Sequence, residues 1–428
     1  MAQQGITFEW VLEETRVEVW NGLGGTTIAH QRDSADRVVS TYVMRGLTLL
    51  LVALLAAGAA GLSPLEKARR EAHSGITFHL LLENQAWRNR DYAQMTALLD
   101  PTVSDDWQRQ WRDYWRRGSE GDPTYRAKLT QVQVAGDGLY RATVVVEQSA
   151  LEWWQSSPYQ EARFYRREGQ HWVRTIPPAD YWGALGSMET EHLRFTFYEQ
   201  DTALVAATAE RLQEAYVALH AALDVPVPMG GGEKLLIHVA PRPVGRWASG
   251  NNRLEVSSPT LMQMSVGERP EDALASDVMS WFTYRVLRDS TPAATGRYLH
   301  RWPIIIWGLR GWLSHDLLRI DGPWRADAMA VLRNSDALPF ELVNVTHLRG
   351  DSRPSREEVI VRYLAAESFV AYAMETYGRD RLGSFIAALM RFGDWNRIIP
   401  EVFGVSAEKF VADWNVFVAT HYAGMVAQ

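Results

Sequence analysis

The chain has 428 residues, 46% hydrophobic and 22% charged, which excludes a largely disordered protein and allows two or three cores. A net charge of -7 gives no electrostatic case for nucleic-acid binding. The absence of cysteine excludes disulfides, thiolate metal sites and cysteine nucleophiles, and leaves the compartment open.

Residues 1–45 are weakly patterned, with a Gly-rich break at "NGLGGTT", and no domain is predicted there. From Gly46 to Leu65, "GLTLLLVALLAAGAAGLSPL" carries no charge. Its strongly apolar part ends near Leu62, just long enough to cross a bilayer of roughly 30 Å as a helix. Met44-Arg45, the apolar run and the small residues Ala57-Gly58-Ala59 also have the layout of a secretory signal, which implies a start at Met44. Residues 46–65 are therefore expected to be a transmembrane anchor or a signal peptide, with the bulk of the chain outside the cytoplasm. If the start is Met44, the preceding 43 residues are not translated.

Apolar spacing then predicts two helices, through Phe78, Leu81 and Leu82 and through Met95, Leu98 and Leu99. "DDWQRQWRDYWRR" continues in helical style, and its tryptophans at 107, 111 and 115 read as a buried stripe beside a solvated face. The pattern next changes to period two. In "LYRATVVVEQ", Tyr140, Ala142, Val144 and Val146 share one face. Turn dipeptides Asp137-Gly138 and Glu168-Gly169 join this strand run to "TQVQVAG" and "EARFYRREGQHWVRTI". Helices followed by an antiparallel meander rich in Trp and Tyr resemble the nuclear transport factor 2-like fold, over residues 72–183.

"PPADYWGALGSM" reads as a connection. "EHLRFTFYEQ" is a predicted strand, "DTALVAATAERLQEAYVALHAAL" a helix capped by Asp201, and "EKLLIHVAP" a second strand. "GRWASGNNRLEVSSP", with Gly250, Asn251 and Asn252 suited to a turn, leads into a short strand. Beyond Pro270 nearly everything is helical. The predicted class is α+β: a membrane or signal helix, a helix-plus-curved-sheet domain, then a mostly helical domain with a small β part.

The stretches "EDALASDVMSWFTYRVL", "PIIIWGLRGWLSHDL", "ALPFELV", "AAESFVAYAMETYGRDRL" and "EVFGVSAEKFVADW" resemble the peptidase MA-like, thermolysin-type family of bacterial membrane and secreted proteins, over residues 190–425. The resemblance implies a zinc site with two imidazoles four residues apart on one helix, a carboxylate base beside the first, and a third ligand on the next helix. Matching the pattern places Ser276 and Ser280 at the imidazole positions, Asp277 at the base and Trp307 at the third ligand. A hydroxyl is a poor zinc ligand and an indole is none. The eleven histidines, at 30, 73, 79, 171, 192, 220, 238, 300, 315, 347 and 421, include no pair four apart, so no register shift restores the motif.

The expectation is therefore a pseudopeptidase without catalytic, metal or cofactor residues, in which Ser276, Asp277, Ser280 and Trp307 mark a vestigial groove. A plainer alternative makes Ser276, Ser280 and Thr283 a close helix contact, each hydroxyl bonded one turn back. A serine nucleophile would need a partnered base that neighbouring sequence does not supply. His315-Asp316 point about 100° apart on a helix and would not chelate one ion. Trp281, Trp307 and Trp312 read as core. The expected partner is a peptide or protein, received by strand addition if the edge near "GRWASGNNRLEVSSP" is open. The membrane is engaged through residues 46–65, and nucleic acid is not expected. A hydrolase with a zinc-independent site remains the second reading, and a transmembrane sensor using residues 1–45 the third.

Overall fold

The computed structural model describes residues 12–13, 16–21, 24–27, 63–121, 124–147, 158–227, 234–241, 252–261, 264–289, 302–320 and 356–421. Residues 1–68 and 69–428 form two compact units. In the first, strands β1 (Leu12–Glu13), β2 (Arg16–Asn21) and β3 (Gly24–Thr27) pair antiparallel, in a stretch where the sequence predicts no domain. The expected membrane or signal segment lies outside the described residues as far as residue 62. Among the described residues no helix is long and apolar enough to cross a membrane.

Helix α1 (Pro64–Asn89) starts at a reciprocal cap. The Ser63 amide donates to Glu66 Oε2 at 2.9 Å, and the Glu66 amide to Ser63 Oγ at 3.3 Å. After a left-handed residue at Arg90 (φ 55°), Asp91 caps α2 (Tyr92–Ala97) by accepting from the Gln94 amide at 2.9 Å. Helix α3 (Asp105–Gly121) carries the tryptophan ladder, with Trp115 buried. Phe78 and Leu81 mark α1 as helical but do not mark its buried face: they are 61% and 57% exposed. The inward stripe is Ala72, Ile76, Leu80, Glu83 and Trp87, one of whose members is charged.

The three helices pack on a meander of β4 (Arg126–Gly136), β5 (Leu139–Glu147), β6 (Tyr159–Glu168) and β7 (His171–Thr175). The two predicted turns are present, with Gly138 and Gly169 at φ +69° and +59°, where only glycine sits without strain. Burial alternates along β5, where Ala142, Val144 and Val146 face inward as predicted.

A second sheet has the order β11-β10-β9-β8. Strand β8 (Leu185–Glu189) lies within the stretch expected to be a connection, and it pairs antiparallel with β9 (Leu193–Tyr198). Its short "LGSME" run has no strong alternation; pairing with β9 supplies its order. Helix α4 (Thr202–Ala222) crosses over to β10 (Leu235–Ala240), parallel to β9, and β11 (Arg253–Ser257) runs parallel to β10. Asp201 is not the expected side-chain cap of α4. Its carboxylate instead accepts from Ser258 Oγ, on the chain leaving β11, at 2.7 Å.

That exchange belongs to a seam between the two sheets. Arg141 on β5 donates to the Thr260 carbonyl at 2.5 Å, and the Ala162 amide on β6 donates to Leu261 O at 3.1 Å. Strand β12 (Met264–Ser265) then adds antiparallel to β6 opposite Gln160 and Tyr159. Phe164, Trp182 and Leu261 form a small apolar cluster at the same place.

The remainder is helical: α5 (Pro270–Asp289), α6 (Pro303–Leu318), α7 (Arg356–Tyr377), α8 (Leu382–Arg391), α9 (Trp395–Phe403) and α10 (Ala407–His421). Their buried faces share one core with α4, β9 and β10, in which Phe369, Phe385, Trp395, Phe410 and Trp414 interlock. The chain is thus α+β, an antiparallel sheet with helices followed by a mostly helical carboxy-terminal region.

Helices α6 and α7 meet at Gly308, where a Cβ would stand 2.3 Å from the backbone carbonyl carbon of Ala366. Backbone cannot swing aside as a side chain can. Gly308→Ala is expected to destabilise the chain by about 1–3 kcal/mol through overpacking. Urea denaturation measures this, and an unchanged midpoint would refute so close a contact.

Candidate functional site

Helix α5 buries Leu274, Ala275, Val278, Met279 and Phe282 completely, so its polar residues are confined to what remains of its surface. Thr283 is fully buried, and its hydroxyl donates to Met279 O at 3.0 Å, the back-bond expected at this residue. Ser280 is buried, Ser276 half-buried and Asp277 exposed. Asp277 is exposed on α5, with Arg310 and Glu268 within electrostatic reach of its carboxyl. Burial lifts its carboxyl to about 6; Arg310 opposes that rise and Glu268 reinforces it. Glu268 is likewise raised by burial, although it accepts from the Ser265 amide at 3.1 Å.

Helix α6 supplies the facing wall. Arg310 reaches the field of Asp277, and Trp307, three residues earlier, lies on the same helix face. The indole of Trp307 meets Tyr363 of α7 edge to face at 5.3 Å. One residue beyond Arg310, Gly311 leaves room for two polar groups of α7. A Cβ there would stand 2.5 Å from Tyr363 Oη and 2.7 Å from Glu367 Oε2. The fold therefore brings Asp277 to Arg310 and ties Trp307 to Tyr363, with Ser276 and Ser280 one turn apart on α5.

The other sequence candidates have structural surroundings of their own. Asp316 forms an ion pair with Arg379, which gives it a structural partner. Trp281 and Trp312 are buried in the core, whereas Trp307 is only half-buried. Strand β11 ends its sheet, and among the described residues no strand pairs with its outer edge. Residues 245–251 of the expected edge loop and 337–343 of "ALPFELV" lie outside the described residues. Among the described residues no three His, Asp or Glu side chains converge as metal ligands would.

A second polar site lies under the first sheet and was not anticipated from the sequence. Glu83 of α1 is completely buried, and both its oxygens accept from Arg163 Nη1 at 3.1 Å. Tyr125 Oη donates to Glu83 Oε1 at 2.5 Å and accepts from Arg163 Nη2 at 3.0 Å. Arg163 Nε reaches Glu161 at 2.5 Å, and Arg174 Nη2 approaches the same carboxylate at 3.5 Å. The Arg174 guanidinium also stacks on Trp111, 3.5 Å from the ring centre. Burial opposes ionisation of Glu83, but Arg163 and Arg174 outweigh it and hold the carboxyl below its usual range. Two carboxylates then face two guanidiniums in a net-neutral interior. The signal was present in "YQEARFY", where Glu161 and Arg163 alternate in phase with Tyr159 and Tyr165 and so share the inward face.

His79 closes this cluster. Its Nδ1 lies 2.9 Å from the Trp172 carbonyl, which can only accept, so Nδ1 carries the proton of the neutral ring. Nε2 lies 3.9 Å from Glu83 Oε2, and the ring meets Tyr165 edge to face at 5.0 Å. Burial lowers the imidazole to about 4, the pull of Glu83 notwithstanding.

Models of known protein families give no match to this chain, and no curated protein matches its sequence.

The lowered His79 value ties stability to pH. The unfolded chain takes up this proton at a pH near 6.5, the folded chain only near 4. The stabilisation is therefore complete above about pH 6.5 and falls away toward pH 4, by about 3 kcal/mol. Denaturation midpoints measured across this window should lose that component of their slope in His79→Gln. An identical slope in the variant would exclude His79 as its source.

Proposed function

We propose that the chain is a membrane-anchored or secreted, non-catalytic protein that binds a peptide or protein partner outside the cytoplasm. Its amino-terminal half is read as a nuclear transport factor 2-like module, in keeping with three helices on an antiparallel meander. The carboxy-terminal half is read as a peptidase MA-like domain that has lost its metal ligands. The reading is carried by the sequence pattern, in which matching the family's motif puts Ser276, Ser280 and Trp307 at the zinc-donor positions, together with the placement of the first two on α5 and the third on α6. The small sheet followed by α5 and α6 supports this reading. Asp277, exposed on α5 within electrostatic reach of Arg310, is the charged contact this surface would offer a partner.

Purified chain is expected to hold far less than one zinc per molecule after dialysis and to leave a peptide library uncleaved. One tightly held zinc per chain would sink the proposal. A peptide selected from a displayed library against the full chain should bind Asp277→Arg about tenfold more weakly, or ~1.4 kcal/mol. Equal affinity would move the partner away from this surface.

A hydrolase with a zinc-independent site is the second reading, favoured by the lift of Asp277 to about 6, where a carboxyl can exchange protons near neutral pH. It requires turnover that rises through an apparent pKa near this value and disappears in Asp277→Asn. Turnover insensitive to that substitution, or none at all, removes this reading.

A further inference from the structure

Phe78 and Leu81 stand one turn apart on α1, 61% and 57% exposed. They belong to a stripe. Arg70, Ser74, Phe78, Leu81, Gln85 and Arg88 follow one another at intervals of three and four, so they lie along one face for about 27 Å, and every one is exposed. The opposite face is the buried one, through Ala72, Ile76, Leu80, Glu83 and Trp87. A single exposed apolar residue needs no explanation. Leu185 on β8 and Val416 on α10 are of that kind, each the only large exposed apolar residue described on its element. On α1 two are adjacent, and the basic residues of the same face flank them.

The charge of this face is uncompensated. Among the described residues neither Arg70 nor Arg88 has a carboxylate partner; Arg88 Nε donates only to the Asn84 carbonyl, at 3.3 Å. Glu71, beside the stripe, is taken up by Arg167. Arg69 adds another exposed cation next to Arg70. The chain as a whole carries -7, so an anionic surface repels the molecule at large and attracts it at a face such as this. The sequence before α1 indicates which surface is near. The uncharged apolar run from Gly46 ends at Leu62, two residues before α1, so whatever holds that run holds α1 close by. Ser63 is not helical, caps α1 together with Glu66 and precedes Pro64, so α1 starts afresh there and is free to lie along a surface. Apolar side chains among cations on one exposed helix face are what an interfacial helix presents to a bilayer.

We infer that this face of α1 lies on the surface of a bilayer carrying anionic headgroups, with Phe78 and Leu81 entering the apolar boundary and Arg70 and Arg88 among the headgroups. The inference rests on the reading of residues 46–65 as a membrane segment, which supplies the bilayer. Its consequence is orientation. The opposite face of α1 is fixed to β4 through Asn84 and to β6 through Glu83, so the first sheet is held on the far side of α1 from the lipid.

The chain has no cysteine, so a single one introduced on this face labels it alone. Ser74→Cys and Gln85→Cys keep Phe78, Leu81 and both arginines, and Leu185→Cys and Val416→Cys are exposed controls on other elements. Each full-length variant carries an environment-sensitive fluorophore and is mixed with phosphatidylcholine vesicles, with or without phosphatidylglycerol, whose lipids bear a nitroxide quencher at the headgroup boundary. In the anionic vesicles the labels at 74 and 85 should shift to the blue and be quenched, and those at 185 and 416 should not. Arg70→Glu with Arg88→Glu, or Phe78→Ser with Leu81→Ser, should reduce that quenching at least about threefold. Extraction with alkaline carbonate tests the membrane segment separately. A chain that resists extraction while its labels at 74 and 85 resemble the controls overturns the inference and keeps the anchor. A chain that is extracted although those labels were quenched loses the anchor and keeps the inference. Failure to sediment with either vesicle removes both. Equal quenching without phosphatidylglycerol also overturns the inference, as does a blue shift without vesicles that grows with protein concentration, which would give this face to a second copy of the chain.

Discussion

The Glu83–Arg163 pair is the constraint on which the first half of the molecule rests. Two charges removed from water are tolerable only if each finds the other with its remaining hydrogen bonds met, and Tyr125 and Glu161 complete that set. Removing one partner would leave the other charged and buried, at a cost of about 3–5 kcal/mol. Such a pair fixes geometry more sharply than apolar contact does. It ties one turn of α1 to one residue of β6, and β6 pairs in turn with β5, β7 and β12. Asn84, the next residue, binds both the amide and the carbonyl of Ala127, so α1 is registered against β4 as well.

From β6 the order passes into the second sheet. Strand β12 and the bonds from Arg141 to Thr260 and from Ser258 to Asp201 make the seam polar, with only a small apolar cluster beside it. Burial raises the Asp201 carboxyl while the two hydroxyls of the seam pull it down, the balance expected of a carboxylate held by neutral donors. Beyond the seam the physics changes. The helical half is held by continuous apolar packing, and at Gly308 the backbone of α6 comes close to the backbone of α7 at Ala366.

The two candidate sites differ for the same reason. Asp277 is an exposed carboxyl on the surface of a packed helical core, within electrostatic reach of Arg310. The interior behind His79 is a closed polar network in which charge is balanced but hydrogen bonding is not.

Local pattern alone determined much of this. Period-two alternation and two glycine turns located the meander from β4 to β7, because a strand's faces and a left-handed turn are properties of a few neighbouring residues. Spacing of three and four located the helices. The histidine positions excluded a two-histidine helical zinc motif, since that motif is itself a local spacing. Tertiary structure decided what depends on distant partners: Phe78 faces out while Glu83 faces in, "LGSME" becomes a strand beside β9, and Asp201 turns from its helix to Ser258. It also decided that Glu83, Arg163, Arg174 and His79 meet: alternation in "YQEARFY" turns Arg163 inward, but nothing local names its partner 80 positions away.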